Sequence, residues 1–111
     1  MIEVQYFRDN DADLTIRAAV DGDQIFISPY PFAIIPHAKL AKRCPNFKLI
    51  VVRDWEDDYQ DFPTAEVFLT PEDFLRFISD YEDPNRVKYT TLFFLEQVLP
   101  KLTKQIGERS G

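Results

Sequence analysis

The chain has 111 residues, 45 % of them hydrophobic and 14 % aromatic, which is enough to bury a core and excludes a disordered protein. A net charge of −6 weighs against a nucleic-acid partner, because nucleic-acid binding needs cations. One cysteine excludes an intramolecular disulfide, and no apolar run approaches the ~20 residues of a membrane span. We therefore expect one domain over residues 1–111, a cytoplasmic location and no membrane partner.

Alternating apolar and polar residues predict three strands in the first quarter of the chain. Residues 2–7 and 14–20 alternate, and Asp21-Gly22-Asp23 separates the second run from residues 24–28. Alternation is typical of strands, and Asp-Gly between two such runs is a strong hairpin signal. The sequence predicts a three-stranded antiparallel meander over residues 2–28.

A short helix and two more strands are predicted in the middle of the chain. Residues 36–44 begin with a proline and have one apolar helical face. Residues 48–53 form a continuous apolar run with a cation at each end, which is typical of a strand buried on both faces. A polar loop over residues 54–60 and a strand over residues 65–69 follow.

Two C-terminal helices are predicted from their first residues. Thr70 before Pro71, and Asp83 before Pro84, are each typical of a helix start. Both helices also have apolar residues at helical spacing. These are Phe74, Phe77, Ile78 and Tyr81 in the first helix, and Leu92, Leu95, Leu99, Leu102 and Ile106 in the second. We expect the leucines of the second helix to face the sheet or a second copy of the chain.

Two residues interrupt or end the second helix in this prediction. Pro100 removes a backbone hydrogen bond and predicts a kink, and Gly107 suits the position just after the helix. Thr90, Thr91 and the paired phenylalanines that follow are also good strand formers, so a strand over residues 89–95 stays open as an alternative.

Charge is strongly sorted along the chain. Residues 24–53 contain no acid and five cations, whereas residues 54–83 contain eleven acids and one base, a net of −10. Four of the cations form a basic strip, Lys39, Lys42, Arg43 and Lys48. The strip is interpreted as pairing with the acidic segment, in the same molecule or in a neighbouring copy, with a nucleic-acid patch as the alternative.

The acids that follow the predicted strand 48–53 are interleaved with aromatic residues. Aromatic side chains provide buried area in an interface, and charges around them steer the approach of a partner. The predicted partner-binding residues are Trp55, Glu56, Asp57, Asp58, Tyr59, Asp61 and Phe62. An alternative use of this segment is a Mg²⁺ site of a hydrolase or nuclease, built from Asp54, Asp57 and Asp58.

Other candidate sites are weaker. Asp9, Asp11 and Asp13 match the first ligands of a calcium loop, but Leu14 stands where that loop needs glycine, so a solvated turn is favoured. His37 and Cys44 are two helical turns apart, too far to form a nucleophile pair, and no second histidine or cysteine completes a zinc site.

These patterns together predict an α+β fold. We expect an antiparallel sheet of about five strands, with the short helix and two C-terminal helices packed on one face. The favoured function is a small acidic inhibitor-type protein, immunity-like or nucleic-acid-mimicking, that engages a basic protein partner. No catalytic residue, metal or cofactor is assigned. The alternatives are the metal-dependent hydrolase or nuclease and a structural subunit of a homo-oligomer, such as a homodimer.

Overall fold

The computed structural model describes residues 2–30, 32, 39, 42–56, 63–81 and 83–110. This part of the chain contains six strands, namely β1 (Ile2–Glu3), β2 (Gln5–Asp9), β3 (Leu14–Asp21), β4 (Gln24–Ile27), β5 (Lys48–Arg53) and β6 (Thr64–Phe68). Three α-helices follow, α1 (Pro71–Tyr81), α2 (Pro84–Phe93) and α3 (Leu99–Ser110). A π-helical turn, Phe94–Val98, joins α2 to α3. The fold is therefore mixed α+β, as predicted.

The strands form two three-stranded sheets. Strands β2, β3 and β4 are antiparallel neighbours and form the meander sheet, in which Gly22 adopts a positive φ at the β3–β4 turn. The second sheet has the order β1-β5-β6, with β1 parallel and β6 antiparallel to β5. The predicted meander is confirmed over residues 5–27, but the prediction of one antiparallel sheet of about five strands is wrong.

The alternation of residues 2–7 predicted one continuous strand, but the structure divides this segment into two strands. It breaks at Val4, so that residues 2–3 pair with β5 while residues 5–9 pair with β3. The N–H of Val4 donates to the carbonyl oxygen of Arg53 at 3.0 Å. Alternation along the sequence is the same on either side of such a switch, so periodicity did not reveal it.

The two sheets also meet at a second seam. Ile27, at the end of β4, and Leu69, just after β6, exchange two backbone hydrogen bonds of 2.7 Å. Across both sheets, the order of neighbouring strands is then β2, β3, β4, β6, β5 and β1. The chain itself connects β1 to β2 through Val4. If β1 and β2 are counted as the two halves of one strand broken at Val4, this order contains five strands. Five strands cannot alternate in direction all the way round, so one neighbouring pair has to be parallel, and that pair is β1–β5.

Hydrophobic side chains fill two layers, one on each side of the meander sheet. Val4, Ala19, Phe26, Ile50, Val52 and Phe68 form the layer between the sheets. The larger layer lies between the meander sheet and the helices, and it includes Ile16, Ala18 and Val20 together with Phe74, Phe77, Ile78, Phe94, Val98 and Leu102. Strand β3 therefore contributes side chains to both layers, and the helices cover one face of the meander sheet.

Both predicted helix starts are confirmed. The hydroxyl of Thr70 accepts a hydrogen bond from the N–H of Asp73 at 3.2 Å, and the Asp83 carboxylate accepts from the N–H groups of Asn85 and Arg86. Such bonds satisfy N–H groups that a helix start leaves without partners. Residues 89–95 are helical, so the strand alternative is wrong.

The buried face of the second helical region differs from the prediction. Phe94, Val98 and Leu102 are fully buried at a spacing of four residues, whereas Leu92 and Leu95 are exposed. In a regular α-helix, side chains four residues apart are not fully aligned, so a row of them gradually rotates around the helix. The wider π turn reduces this rotation. The turn directly precedes α3, whose second residue is Pro100, the position where a kink was expected. Gly107 lies inside α3 and does not end it.

The predicted helix over residues 36–44 falls mostly outside the described residues. Lys39, Lys42 and Arg43 are helical, and Cys44 is completely buried against the helical layer. His37 lies outside the described residues. Within the described ranges, no helix is long and apolar enough to cross a membrane.

Candidate functional site

The outer face of β5 carries exposed apolar side chains. Along the strand, Ile50 and Val52 point into the layer between the sheets, while Leu49 and Val51 are 58 % and 57 % exposed. The expectation of a strand buried on both faces is therefore wrong. The apolar run is continuous, yet the described part of the chain covers only one side of it.

Trp55 extends this exposed row beyond the end of β5. Its side chain is 64 % exposed, and the guanidinium of Arg53 lies over the indole ring, 4.7 Å from the ring centre. Arg53 follows Leu49 and Val51 on the same face of the strand, because side chains alternate along it. We call Leu49, Val51, Arg53 and Trp55 the Trp55 face.

A buried charge network holds Asp54, the residue between the end of β5 and Trp55. Arg17 reaches from β3 into the layer between the sheets and donates to Asp54 at 2.7 Å and to Glu66 at 3.1 Å. It also donates to the hydroxyls of Ser28 and Tyr6, at 3.0 and 3.3 Å. One cation thus meets two carboxylates, and the side chains of Arg17 and Asp54 are almost fully buried.

The network shifts the pKa values of its members. Burial and the hydrogen bond to Asp54 raise the pKa of Tyr6 to about 12. Burial alone would raise the pKa of Asp54, but hydrogen bonds from Tyr6 and Arg17 outweigh it and leave that pKa lowered. At neutral pH, Asp54 is therefore ionised and Tyr6 is a neutral donor, which is the arrangement that the hydrogen bonds require.

Two further contacts fix the backbone around Trp55. The second oxygen of the Asp54 carboxylate accepts the N–H of Glu56 at 3.1 Å. The Glu56 carboxylate forms a forked pair with the guanidinium of Arg8, at 2.6 and 3.3 Å. The residues before and after Trp55 are thereby tied to β3 and β2, while the indole itself stays in solvent.

The structure describes two of the seven predicted partner-binding residues. Trp55 is exposed, and Glu56 is half exposed but paired with Arg8. Asp57, Asp58, Tyr59, Asp61 and Phe62 lie outside the described residues.

Several acids of the segment 54–83 are paired with arginines of the same chain. Besides the network and the Glu56 pair, Asp80 binds Arg43 at 3.0 Å and the buried Asp73 binds Arg76 at 3.2 Å. The Arg43 contact joins the basic strip to the acidic segment, which is the internal pairing expected for that strip. The acidic charge of this region is therefore lower at the described surface than in the sequence.

The structure gives Asp54 a role other than metal binding. Its two oxygens already accept three hydrogen bonds, from Tyr6, Arg17 and the N–H of Glu56. Across the described ranges, no three histidine, cysteine or acidic side chains are grouped so as to hold a metal ion. Asp57 and Asp58, the other proposed ligands, lie outside those ranges.

The remaining candidates have structural roles. The Asp9 carboxylate accepts from the hydroxyl of Tyr89 and from the N–H groups of Asp11 and Ala12, so it organises the β2–β3 turn. Cys44 is buried, and burial raises the pKa of its thiol. A raised pKa keeps the thiol protonated and poorly nucleophilic.

Sequence reasoning missed the residues that hold the Trp55 face in place. Arg17 and Tyr6 lie in strands that were predicted, but their meeting with Asp54 depends on how the two sheets are layered. One signal was present, since Arg17 lies inside the apolar stretch 14–20 and a cation there needs buried anions. The exposure of Leu49 and Val51 had no comparable signal.

No protein-family model, curated protein or solved structure matches this chain.

Proposed function

We propose that the chain is a small protein-binding module of the inhibitor type, which engages a basic protein partner through the Trp55 face and the acidic segment that follows it. The observation that supports this proposal most directly is the 64 % exposed indole, continuous with exposed Leu49 and Val51. Single exposed apolar residues are ordinary, whereas a contiguous group of them is typical of an interaction surface. Tryptophan is also among the residues that contribute most to interface affinity.

Preorganisation of the segment is a second support. If the backbone around Trp55 became ordered only on binding, the loss of its conformational entropy would weaken the affinity for the partner. Here Asp54 is held by Arg17 and Tyr6, and Glu56 is held by Arg8, before any partner arrives. The indole is thus presented from a backbone that is fixed on both sides.

The basic character of the partner is inferred from the sequence. Asp57, Asp58 and Asp61 follow Glu56, and no lysine or arginine occurs between Arg53 and Arg76. An acidic segment accelerates encounter with a cationic protein and repels nucleic acid. A nuclease or another nucleic-acid-binding protein suits this role, because carboxylates can occupy the positions where it binds phosphates. A cytoplasmic location, suggested by the single cysteine, belongs to the same proposal.

The test begins with proteins retained from a lysate of the source cells by the immobilised chain. For each purified candidate, association and dissociation rates are measured at several salt concentrations. We expect the association rate to fall as salt rises, since steering by exposed charges is screened. Trp55→Ala should accelerate dissociation by about thirtyfold, which corresponds to a typical interface hot spot.

Matched variants separate the surface from general effects. Gln97→Ala truncates an exposed side chain on the helical layer and should leave the rates unchanged. Asp57→Asn with Asp58→Asn should slow association, whereas Asp21→Asn with Asp23→Asn, at the exposed β3–β4 turn, changes the net charge equally and should not. A partner whose rates ignore salt, or whose dissociation ignores Trp55→Ala, would overturn the proposal.

A further inference from the structure

A second exposed apolar stripe lies on the helical layer, away from the Trp55 face. Tyr89 and Leu92 on α2, and Leu95 in the π turn, are 42 %, 47 % and 43 % exposed. Lys88 and Glu96 flank them and are also exposed. We call these five residues the Leu92 stripe. Its apolar members include two of the leucines for which the sequence allowed either the sheet or a second copy as the contact.

The Leu92 stripe has an order that is symmetric in chemistry about its central residue. Tyr89 and Leu95, both apolar, lie three residues before and after Leu92. Lys88 and Glu96, of opposite charge, lie four residues before and after it. Reversing the direction of the helix therefore exchanges an apolar residue for an apolar residue and a cation for an anion.

We propose that a second copy of this chain docks antiparallel on the Leu92 stripe, with the two-fold axis at Leu92. In a two-fold interface, if one residue contacts another across the axis, the reciprocal contact follows. Leu92 then meets Leu92, Tyr89 meets Leu95 twice, and Lys88 meets Glu96 twice. The stripe thus complements itself both in apolar area and in charge.

The charges favour a second copy over an unrelated helix. Neither Lys88 nor Glu96 forms an ion pair with any described residue of its own chain, so both are available to the partner. A parallel arrangement would place Lys88 beside Lys88 of the second copy and Glu96 beside Glu96 of the second copy. Like charges oppose association. The antiparallel arrangement alone turns the same two residues into two attractive pairs.

The apolar contacts are partly preorganised. The hydroxyl of Tyr89 donates to the carboxylate of Asp9, which holds the ring in place at the edge of the stripe. A fixed aromatic ring loses little conformational entropy when the Leu95 side chain packs on it. The area is that of one helix face, so the dimer is weak and forms at micromolar or higher concentration.

This inference does not depend on the proposed function, and its first test uses the full chain alone. Sedimentation equilibrium from about 1 μM to about 1 mM, the range suited to a small interface, should show a reversible dimer. Leu92→Glu places two like charges on the axis and should give a monomer throughout. Lys88→Glu and Glu96→Lys should each weaken the dimer by about fivefold or more, because each replaces two attractive pairs with two repulsive ones.

The double charge reversal gives the most specific result. Lys88→Glu combined with Glu96→Lys restores both attractive pairs and should return the dimer to its original strength. A helix from another protein, or a parallel pair of copies, does not predict this rescue. Circular dichroism and urea unfolding confirm that each variant is folded.

Cross-linking supplies an independent readout. Cys44 is buried and is the only cysteine, so an introduced thiol reacts without background. Leu92→Cys places two thiols together on the axis, and oxidised glutathione should convert them to an intermolecular disulfide. Leu49→Cys, on the Trp55 face, is the matched exposed control and should stay largely uncross-linked.

Three outcomes would overturn the inference. They are a monomer at all concentrations, a dimer that persists in Leu92→Glu, and a dimer that the double charge reversal fails to restore. Binding of a basic partner by folded Leu92→Glu would leave the proposed function standing, so the two proposals fail separately.

Discussion

At the scale of single residues, Arg17 decides how the region around Trp55 is built. Its guanidinium contacts both Asp54 and Glu66, at 2.7 and 3.1 Å. Buried ion pairs do not always stabilise a protein relative to apolar replacements, but removing one partner leaves an uncompensated buried charge. The network therefore fixes the position of Asp54, and with it the backbone that presents the indole.

Replacement of Arg17 tests this dependence. Arg17→Met keeps the length of the side chain but leaves the Asp54 carboxylate buried without a cation. We expect the free energy of unfolding, measured in urea, to fall by about 3–5 kcal/mol. Arg8→Met removes the exposed pair with Glu56 and should unfold close to the wild-type midpoint. Equal losses in the two variants would contradict this account.

Tyr6 provides a pH-dependent signature of the same network. Its pKa is raised to about 12, so the folded protein favours the protonated phenol. The resulting stabilisation is complete below the unfolded pKa of about 10 and is lost as the pH rises through the folded value. Between these values, the stability of the wild type should fall more steeply than that of Tyr6→Phe. In an ultraviolet titration of the folded protein, Tyr6→Phe should remove the step near pH 12, and its persistence would argue against the network.

At the scale of elements, sequence patterns predicted most strands and helices, and they predicted the buried face of α1 with Phe74, Phe77 and Ile78. They did not predict which faces of β5 and of the second helical region are buried. The caps at Thr70 and Asp83 are local, and both formed as expected. The exposure of Leu49 and the break at Val4 depend instead on what packs against a strand, which no local pattern contains. The leucine spacing was similarly misleading, because a π turn realigned the helix and buried Phe94 and Val98.

Thr90 tests how the helical layer accommodates a buried polar group. Its hydroxyl is completely buried and makes no hydrogen bond within the described part of the chain. Thr90→Val replaces it with an apolar group of the same shape and should raise the free energy of unfolding by about 1 kcal/mol. Thr103→Val has the same change in helix propensity, but that hydroxyl is exposed and donates to the carbonyl of Leu99 at 2.8 Å. Thr103→Val should therefore give no gain, and a loss in Thr90→Val would show that its hydroxyl has an acceptor.

At the scale of the whole molecule, the two sheets are linked at Val4 and at the Ile27–Leu69 pair. Both seams consist of backbone hydrogen bonds, and Val4, Ile27 and Leu69, which form them, are buried. A molecule joined in this way is expected to unfold as one unit, because neither sheet can separate without breaking both seams.

Hydrogen exchange measures that cooperativity directly. The amides of Val4, Ile27 and Leu69 should exchange only through global unfolding, with the same opening free energy as the centre of β3. The amide of Asp13, in the exposed β2–β3 turn, should exchange much faster and serves as the control. Seam amides that exchange well before those of β3 would show that the sheets open independently.

The candidate site shows the same division between local and non-local information. Trp55 and Glu56 could be selected from the sequence, because aromatic residues among acids are a recognisable composition. Arg17, Tyr6 and Leu49 could not, since their roles arise from layering two sheets whose pairing spans distant parts of the chain. The charge sorting was informative about composition, but part of the acidic charge is paired at the described surface, as in the ion pair between Asp80 and Arg43.

The single tryptophan also allows binding to be followed by the intrinsic fluorescence of the protein. With one indole in the chain, all tryptophan fluorescence comes from a single place on the surface. Because that indole is largely solvent-exposed, its emission should be red-shifted and readily quenched by acrylamide. Coverage of this spot would shift the emission to the blue and shield it from the quencher, whereas self-association through the helices would leave the signal unchanged. Unlabelled protein can therefore show which of its two sides is occupied.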